Sequence, residues 1–250
     1  MNFQIRKQII LSAVELEGSV EVKELAEKLQ TSEITVRRDL AVLAEKGLLF
    51  RTHGGAVKVS LAKDPVTFAN KAATNYASKE HIAQLASQQI VEGDTVFIDC
   101  GSTTFLMCQF IRHLSIKVVT NSLPVVNELM GSSVQVNIAG GELDAKRQAI
   151  HGVMAIEHLK RYKVDKAFIG VDGISLKYGL SANGEKEASI TLAAASIAKH
   201  VYLLCDSSKL EKEKYFRFAP LSLIHTLITD QQAPQEVLQA YKQAGLQILS

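Results

Sequence analysis

The sequence predicts an α/β chain in two parts: a three-helix head closed by a β-hairpin, and a larger domain built on a mostly parallel sheet. Three observations predict this. Residues 1–57 show helical apolar spacing three times over, then two short apolar runs around a Gly-Gly turn. Residues 58–78 contain Asp64-Pro65 and little periodicity, as a linker does. From residue 79 to 250, short β-branched runs alternate with helical stretches, the pattern of parallel strands covered on both faces.

In the head, Ile5, Ile9, Ile10, Ala13, Val14 and Leu16 mark a first helix that Gly18-Ser19 ends. Val20-Glu21-Val22 leads into a second helix through Leu25, Ala26 and Leu29. After the turn Gln30-Thr31-Ser32, a third helix is capped by Ser32, directs Val36, Leu40 and Leu43 inward, and ends at Lys46-Gly47. Leu48–Arg51 and Ala56–Val59 read as strands around His53-Gly54-Gly55. In the second part, strands are expected at Thr95–Asp99, Ile116–Thr120, Val134–Ala139, Lys166–Val171, Val201–Cys205 and His225–Thr229. Helices are expected at Lys79–Val91, Thr103–His113, Leu123–Met130, Glu185–Lys199 and Gln235–Ala244.

Composition narrows the function classes. Hydrophobic residues make up 47% of the 250, enough for one large core and a small second one. No apolar run reaches the ~20 residues that span a bilayer, and the N-terminus lacks a signal-peptide apolar core. A cytoplasmic protein is expected, with no membrane partner. Cys100, Cys108 and Cys205 form no CxxC pair and read as reduced thiols. His81, His113, His151, His158, His200 and His225 lack metal-ligand spacing and read as isolated polar or capping residues, so no metal and no cofactor is expected. Net charge is only +2, so any nucleic-acid contact must rest on a local patch.

Such a patch is present. A major groove admits one α-helix, whose early residues reach the base edges. The third helix has Thr35, Arg37 and Arg38 available on its outer face, with apolar residues behind. Arginine offers a rigid fork for guanine edges or phosphates, and Ser32 and Thr35 stand at the helix start, where the dipole favours anions. Arg51, His53 and Lys58 on the hairpin are placed to grip flanking phosphates as a wing, with Gly54 and Gly55 permitting close backbone approach. Residues 31–58 hold five Lys/Arg against three Asp/Glu, so placement rather than bulk charge carries this reading of a winged helix-turn-helix that binds double-stranded DNA.

A second constellation follows the strands of the larger domain. Asp99-Cys100-Gly101-Ser102-Thr103-Thr104 ends one strand and opens a helix, so Gly101, Ser102, Thr103 and Thr104 form a candidate phosphate cradle. Polar turns recur after later strands, at Asn121, at Gly140-Gly141 with Lys146 and Arg147 beyond, at Asp172, and at Lys209. In open α/β sheets ligands bind at the carboxyl ends of strands, so these turns are expected to converge. Ser102, Thr103, Thr104, Lys146 and Lys209 suit phosphate, while Asp99, Asp172 and Glu185 or Glu187 suit sugar hydroxyls.

Arg6, Thr35-Val36-Arg37-Arg38-Asp39-Leu40 and Arg51-Thr52-His53-Gly54-Gly55-Ala56 closely resemble the N-terminal signature of DeoR-family transcriptional regulators. Asp39 is expected to partner nearby basic residues rather than a base. The polar turns resemble the same family's C-terminal domain, which implies a fold similar to ribose-5-phosphate isomerase and a phosphorylated sugar or sugar-derived effector. The resemblance implies that Gly101–Thr104 and Lys209 hold phosphate, and that Asp172 and Glu187 contact the sugar. It also implies repression of a carbohydrate-metabolism operon and a homo-oligomer, dimer or tetramer, reading paired half-sites. This chain departs from the family pattern after the double glycine, where Leu143-Asp144-Ala145 precede the bases Lys146 and Arg147, and at Gly184 and Leu210-Glu211. The alternative is a phosphosugar isomerase-like enzyme with an appended helical module, using Asp99, Asp172 and Glu187 as acid and base. A third reading, a sensor without DNA binding, conflicts with Arg37, Arg38 and the wing.

Overall fold

The computed structural model describes residues 3–45, 48–51, 54–57 and 74–250. The chain divides into two compact units, Met1–Tyr76 and Ala77–Ser250.

In the first unit, α1 (Phe3–Glu17), α2 (Val22–Lys28) and α3 (Glu33–Glu45) surround one apolar core. Ile10, Leu25, Leu29, Val36, Leu40 and Leu43 are buried in it. Gly18, at φ +73°, ends α1 with its N–H on the Val14 carbonyl. Gln30, at φ 48°, makes the turn between α2 and α3. A sheet follows that the sequence predicts only in part. β2 (Phe50–Arg51) and β3 (Gly55–Val57) pair antiparallel, and β3 also pairs with β1 (Ser19–Glu21), giving the order β1-β3-β2. The segment expected only to lead into α2 is thus a strand. Three residues are too few to show a period, and the partner Ala56 of Val20 lies far along the chain. The expected helix end at Lys46-Gly47 and most of the expected linker fall outside the described residues.

The second unit begins with α4 (Tyr76–Ser87) and centres on a parallel seven-stranded sheet. Its strands are β4 (Thr95–Ile98), β5 (Lys117–Thr120), β6 (Gln135–Ile138), β9 (Val164–Gly170), β12 (Ala198–Leu204), β14 (Thr226–Ile228) and β15 (Gln247–Leu249). They lie in the order β15-β14-β12-β9-β4-β5-β6. Central strands are buried on both faces: Phe97, Val119, Ala167, Phe168, Ile169, Leu203 and Leu227 are inaccessible, as β-branched and aromatic runs in parallel sheets should be. The covering helices include α7 (Leu123–Leu129), capped by Ser122, then α9 (Glu185–Ser196) and α10 (Gln235–Gln243).

The structure differs from the expectation in four places. The helix expected over Thr103–His113 is two short ones, α5 (Ser102–Phe105) and α6 (Cys108–Ile111). The helix expected to run to Lys199 stops at Ser196, and Ala198 and Lys199 begin β12. After β6, the chain forms an unexpected hairpin, β7 (Glu142–Asp144) with β8 (Ala149–His151), and then α8 (Val153–Leu159). A small antiparallel sheet of β10 (Gly173–Ser175), β11 (Gly179–Ala182) and β13 (Phe216–Ala219) is likewise unexpected, and β15 extends the main sheet. The unexpected strands are three or four residues long, below the length at which alternation can be read, and α8 spans only seven residues.

Candidate nucleic-acid interface and ligand site

In the first unit, α3 turns Val36, Leu40 and Leu43 into the core and leaves Arg37 and Arg38 exposed. The Ser32 Oγ accepts from the Thr35 N–H at 3.3 Å and lies 2.9 Å from the Thr35 Oγ1, so the cap is formed and the two hydroxyls stand together at the helix start. Arg37 Nη2 is 3.3 Å from Glu33 Oε2 one turn back, an exposed pair that holds the guanidinium only weakly. Asp39 is buried, and Arg6 grips it with two prongs, Nε to Oδ2 at 2.6 Å and Nη2 to Oδ1 at 3.1 Å. The helix is thereby fixed against α1, and Asp39 has the structural role expected of it. Sequence reasoning missed Ile34, which is 79% exposed among the polar groups of the outer face. Its signal in the sequence is an apolar residue at a helix start, off the buried face and followed by Thr-Val-Arg-Arg.

The glycines of the wing divide. Gly54 is exposed, with open space where a side chain would be, and its carbonyl accepts from the Val22 N–H at 2.8 Å. Gly55 is buried, and a Cβ there would stand 1.8 Å from the Val20 carbonyl oxygen. Its small size is therefore required by β1 rather than by close approach to a nucleic acid, which corrects the expectation. Arg51 lies in β2, while its side chain, His53 and Lys58 fall outside the described residues.

In the second unit, the polar turns gather at the carboxyl ends of five neighbouring strands, β12, β9, β4, β5 and β6. Asp99 follows β4 and is buried. Its Oδ1 accepts from the Cys100 N–H at 2.7 Å and its Oδ2 from the Gly170 N–H at 3.2 Å, at the end of β9. Burial raises its carboxyl above the usual range, against the pull of those two N–H groups. Ser102, Thr103 and Thr104 are all buried, and the single Thr104 hydroxyl proton is shared between the Asp99 and Gly101 carbonyls, each 2.8 Å from its oxygen. Thr104 therefore locks the turn and does not present a free donor, contrary to expectation.

Asn121, after β5, is fully buried. Its Nδ2 donates to the Ile150 carbonyl at 3.2 Å, and its own carbonyl accepts from the Ile150 N–H at 2.7 Å. The β7–β8 hairpin is thus tied across the end of β5. It carries Arg147, whose guanidinium contacts Glu187 in the first turn of α9, and the buried His151. The sequence reads His151 as a polar or capping residue, yet it caps nothing; a short alternation framed by Gly141 and Gly152 is the signal for the strand that holds it. Gly141 lets the hairpin close, since a Cβ there would meet the His151 carbonyl at 2.7 Å. Lys146 and Glu185 are exposed, and the Gly140 N–H donates to His158 Nδ1.

Further along the sheet, Lys209 Nζ donates to the Val171 carbonyl at 3.0 Å and lies 3.8 Å from Asp206. Beside it, Asp172 accepts from the Asn183 N–H at 3.0 Å. The expected residues therefore fall along one rim, with Asp99, Asn121, Arg147 and Glu187 toward β5 and Asp172 and Lys209 toward β12. Among the described residues, no cluster of His, Cys, Asp and Glu is arranged to hold a metal ion, and no helix is long and apolar enough to cross a membrane.

Two family models match: a DeoR-like helix-turn-helix domain over residues 6–61, and the DeoR C terminal sensor domain over residues 74–231. The chain belongs to the DeoR family. By that membership it is a DNA-binding transcriptional regulator. DeoR-family relatives match over nearly the whole length. The L-fucose operon activator of Haemophilus influenzae is 34% identical over 96% of both chains. The glycerol-3-phosphate regulon repressor of Escherichia coli K12 is 31% identical over 96% of this chain and 95% of its own. Among solved structures, the ribose 5-phosphate isomerase A of Methanocaldococcus jannaschii matches the DeoR-family chain at 19% identity and a TM-score of 0.41, over 55% of each chain.

Proposed function

We propose that this regulator represses a carbohydrate-metabolism operon and is controlled by a phosphorylated sugar or sugar-derived metabolite. The observation that carries the reading is α3, apolar toward its core and presenting Ser32, Thr35, Arg37 and Arg38 outward on a helix that Arg6 and Asp39 hold in place. Arg37 and Arg38 read or grip the duplex, Ile34 packs on a thymine methyl, and Gly54, Arg51, His53 and Lys58 brace the backbone as a wing. Relatives named for glycerol-3-phosphate and L-fucose support the sugar assignment, and most of those named for a direction are repressors.

Residues 1–57 serve as the reader, 58–78 as the linker and 79–250 as the sensor and oligomerisation domain. A homodimer or tetramer working in the cytoplasm on paired half-sites fits this division. In the sensor, Asp99, Gly101, Ser102, Thr103, Asn121, Gly140, Gly141, Lys146, Asp172, Glu185, Glu187 and Lys209 surround the effector. In this reading the site binds rather than catalyses: its three candidate acid–base carboxylates are engaged structurally, Asp99 by the Cys100 and Gly170 N–H groups, Asp172 by the Asn183 N–H and Glu187 by Arg147.

The test is a gel shift on the DNA upstream of the gene across a salt series. Arg37→Ala and Arg38→Ala are each expected to weaken binding and to lower the salt slope by about 1 for every phosphate left without its cation. Unchanged affinity and slope in both variants overturns the assignment of α3. A sugar phosphate that changes operator affinity must bind the two states of the protein unequally.

A further inference from the structure

At the carboxyl end of β5, two buried side chains carry polar atoms that no described residue satisfies. His151 is 1% exposed and its ring nitrogens make no hydrogen bond of ordinary geometry, the Lys186 backbone alone lying within reach of one of them. Asn121 is 0% exposed, and while its Nδ2 is bound to the Ile150 carbonyl, its Oδ1 has no partner. The two residues belong to one construction, because the Ile150 N–H, next to His151, donates to the Asn121 carbonyl at 2.7 Å. Folded chains leave few buried polar atoms unpaired, so two neighbouring side chains with such atoms call for a physical explanation.

The surroundings say what kind of partner fits. Asp99, Asp144 and Arg147 act on His151 electrostatically, and the Lys186 backbone carbonyl is placed to accept from its ring. The Arg147 charge is met by Glu187, and the other two charges are negative. A phosphate needs free donors and positive charge, and this corner supplies neither. With its N–H toward the Lys186 backbone carbonyl, a neutral imidazole keeps one acceptor nitrogen, and the Asn121 amide oxygen is a second acceptor. Sugar hydroxyls donate and match both. Burial holds the imidazole below its ordinary pKa, which keeps it neutral at pH 7.

We infer that His151 and Asn121 form the hydroxyl-reading corner of the effector site, receiving the unphosphorylated end of a phosphorylated sugar. This rests on the sugar-phosphate reading above and adds a residue and an orientation to it.

Calorimetric titration of the full-length protein with fructose 1-phosphate, fructose 6-phosphate, glucose 6-phosphate, N-acetylglucosamine 6-phosphate and glycerol 3-phosphate identifies a binder. His151→Leu, which keeps the side chain apolar and of similar volume, is expected to weaken that compound at least tenfold and to leave competition by inorganic phosphate unchanged. His151→Asn, which restores a donor and an acceptor, recovers part of the loss. In the unaltered protein, the imidazole 15N resonances of His151 are expected to shift with the sugar phosphate and not with inorganic phosphate, a measurement that does not depend on any variant folding. Equal affinity in His151→Leu with unmoved resonances overturns the inference and leaves the sugar-phosphate reading standing. A parallel loss of inorganic phosphate competition also overturns it, by placing the phosphate at His151. If none of the five compounds binds the unaltered protein, the sugar-phosphate reading fails and this inference falls with it.

Discussion

Single residues decide whether each unit keeps its working surface. The Arg6–Asp39 pair ties α1 to the back of α3, the helix proposed to read DNA, and Asp39 is almost out of solvent. Removing one member of such a pair leaves the other charge buried and unmatched. Arg6→Ala is therefore expected to lower the unfolding midpoint of the N-terminal unit by several degrees and to weaken operator binding with it. Arg6→Lys recovers only part, because an ammonium cannot make the two-pronged contact. Differential scanning calorimetry beside the gel shift checks both. His151 and His200 make a second prediction, about pH. Burial lowers both pKa values, so the unfolded chain takes up protons first as pH falls toward the ordinary histidine value of about 6.5. Stability contributed by these groups is present above that value and is lost as pH drops below it. The melting temperature should fall between pH 7 and pH 5, and His151→Asn should flatten the fall while leaving the share due to His200. A steeper fall in the variant contradicts the sign.

At the scale of elements, α3 and the wing are held by features of very different legibility. The Ser32 cap follows from residue type and position, and Ser32→Ala is expected to cost about 1 kcal/mol in the unfolding of the first unit. The role of Gly55 does not follow from its neighbours in sequence. Only the pairing of Glu21 with Gly55 reveals that the Val20 carbonyl occupies the space a methyl group would need. Gly55→Ala is expected to destabilise the unit by about 1–3 kcal/mol, whereas Gly54→Ala, facing open space, should be near neutral for folding. Urea unfolding of the two variants separates them, and equal effects would count against the three-stranded sheet. The same contrast runs through the second unit. Strands buried on both faces are continuous apolar runs and are legible, but β7, β8, β10, β11 and β13 are short, with their partners set by tertiary contact.

At the scale of the whole molecule, the division into Met1–Tyr76 and Ala77–Ser250 predicts separable activities. A fragment of residues 77–250 contains the entire seven-stranded sheet and its core. It is expected to fold and to bind the same sugar phosphate as the full chain, while failing to shift operator DNA. At a hundredfold excess over its dissociation constant, the ligand should stabilise the sensor by about 2.7 kcal/mol, seen as a higher melting temperature of the fragment. A fragment that folds but gives no response to a ligand bound by the full chain would mean that the site needs residues before 77.

Residue order alone determined the two-part architecture, the capped third helix with its exposed arginines and the rim of polar turns at the strand ends. Each of these is written in local periodicity, capping chemistry or the rule that parallel sheets bind ligands at their carboxyl ends. Folding in three dimensions decided which polar groups are already engaged. Thr104 looks like a ligand donor and Asp99 like a ligand acceptor in the sequence, yet both bind backbone groups, while His151 looks ordinary and is buried without a hydrogen bond of ordinary geometry. Hydrogen-bond partners of buried side chains come from strands distant in sequence, so their availability is settled only when the sheet and its hairpin have assembled.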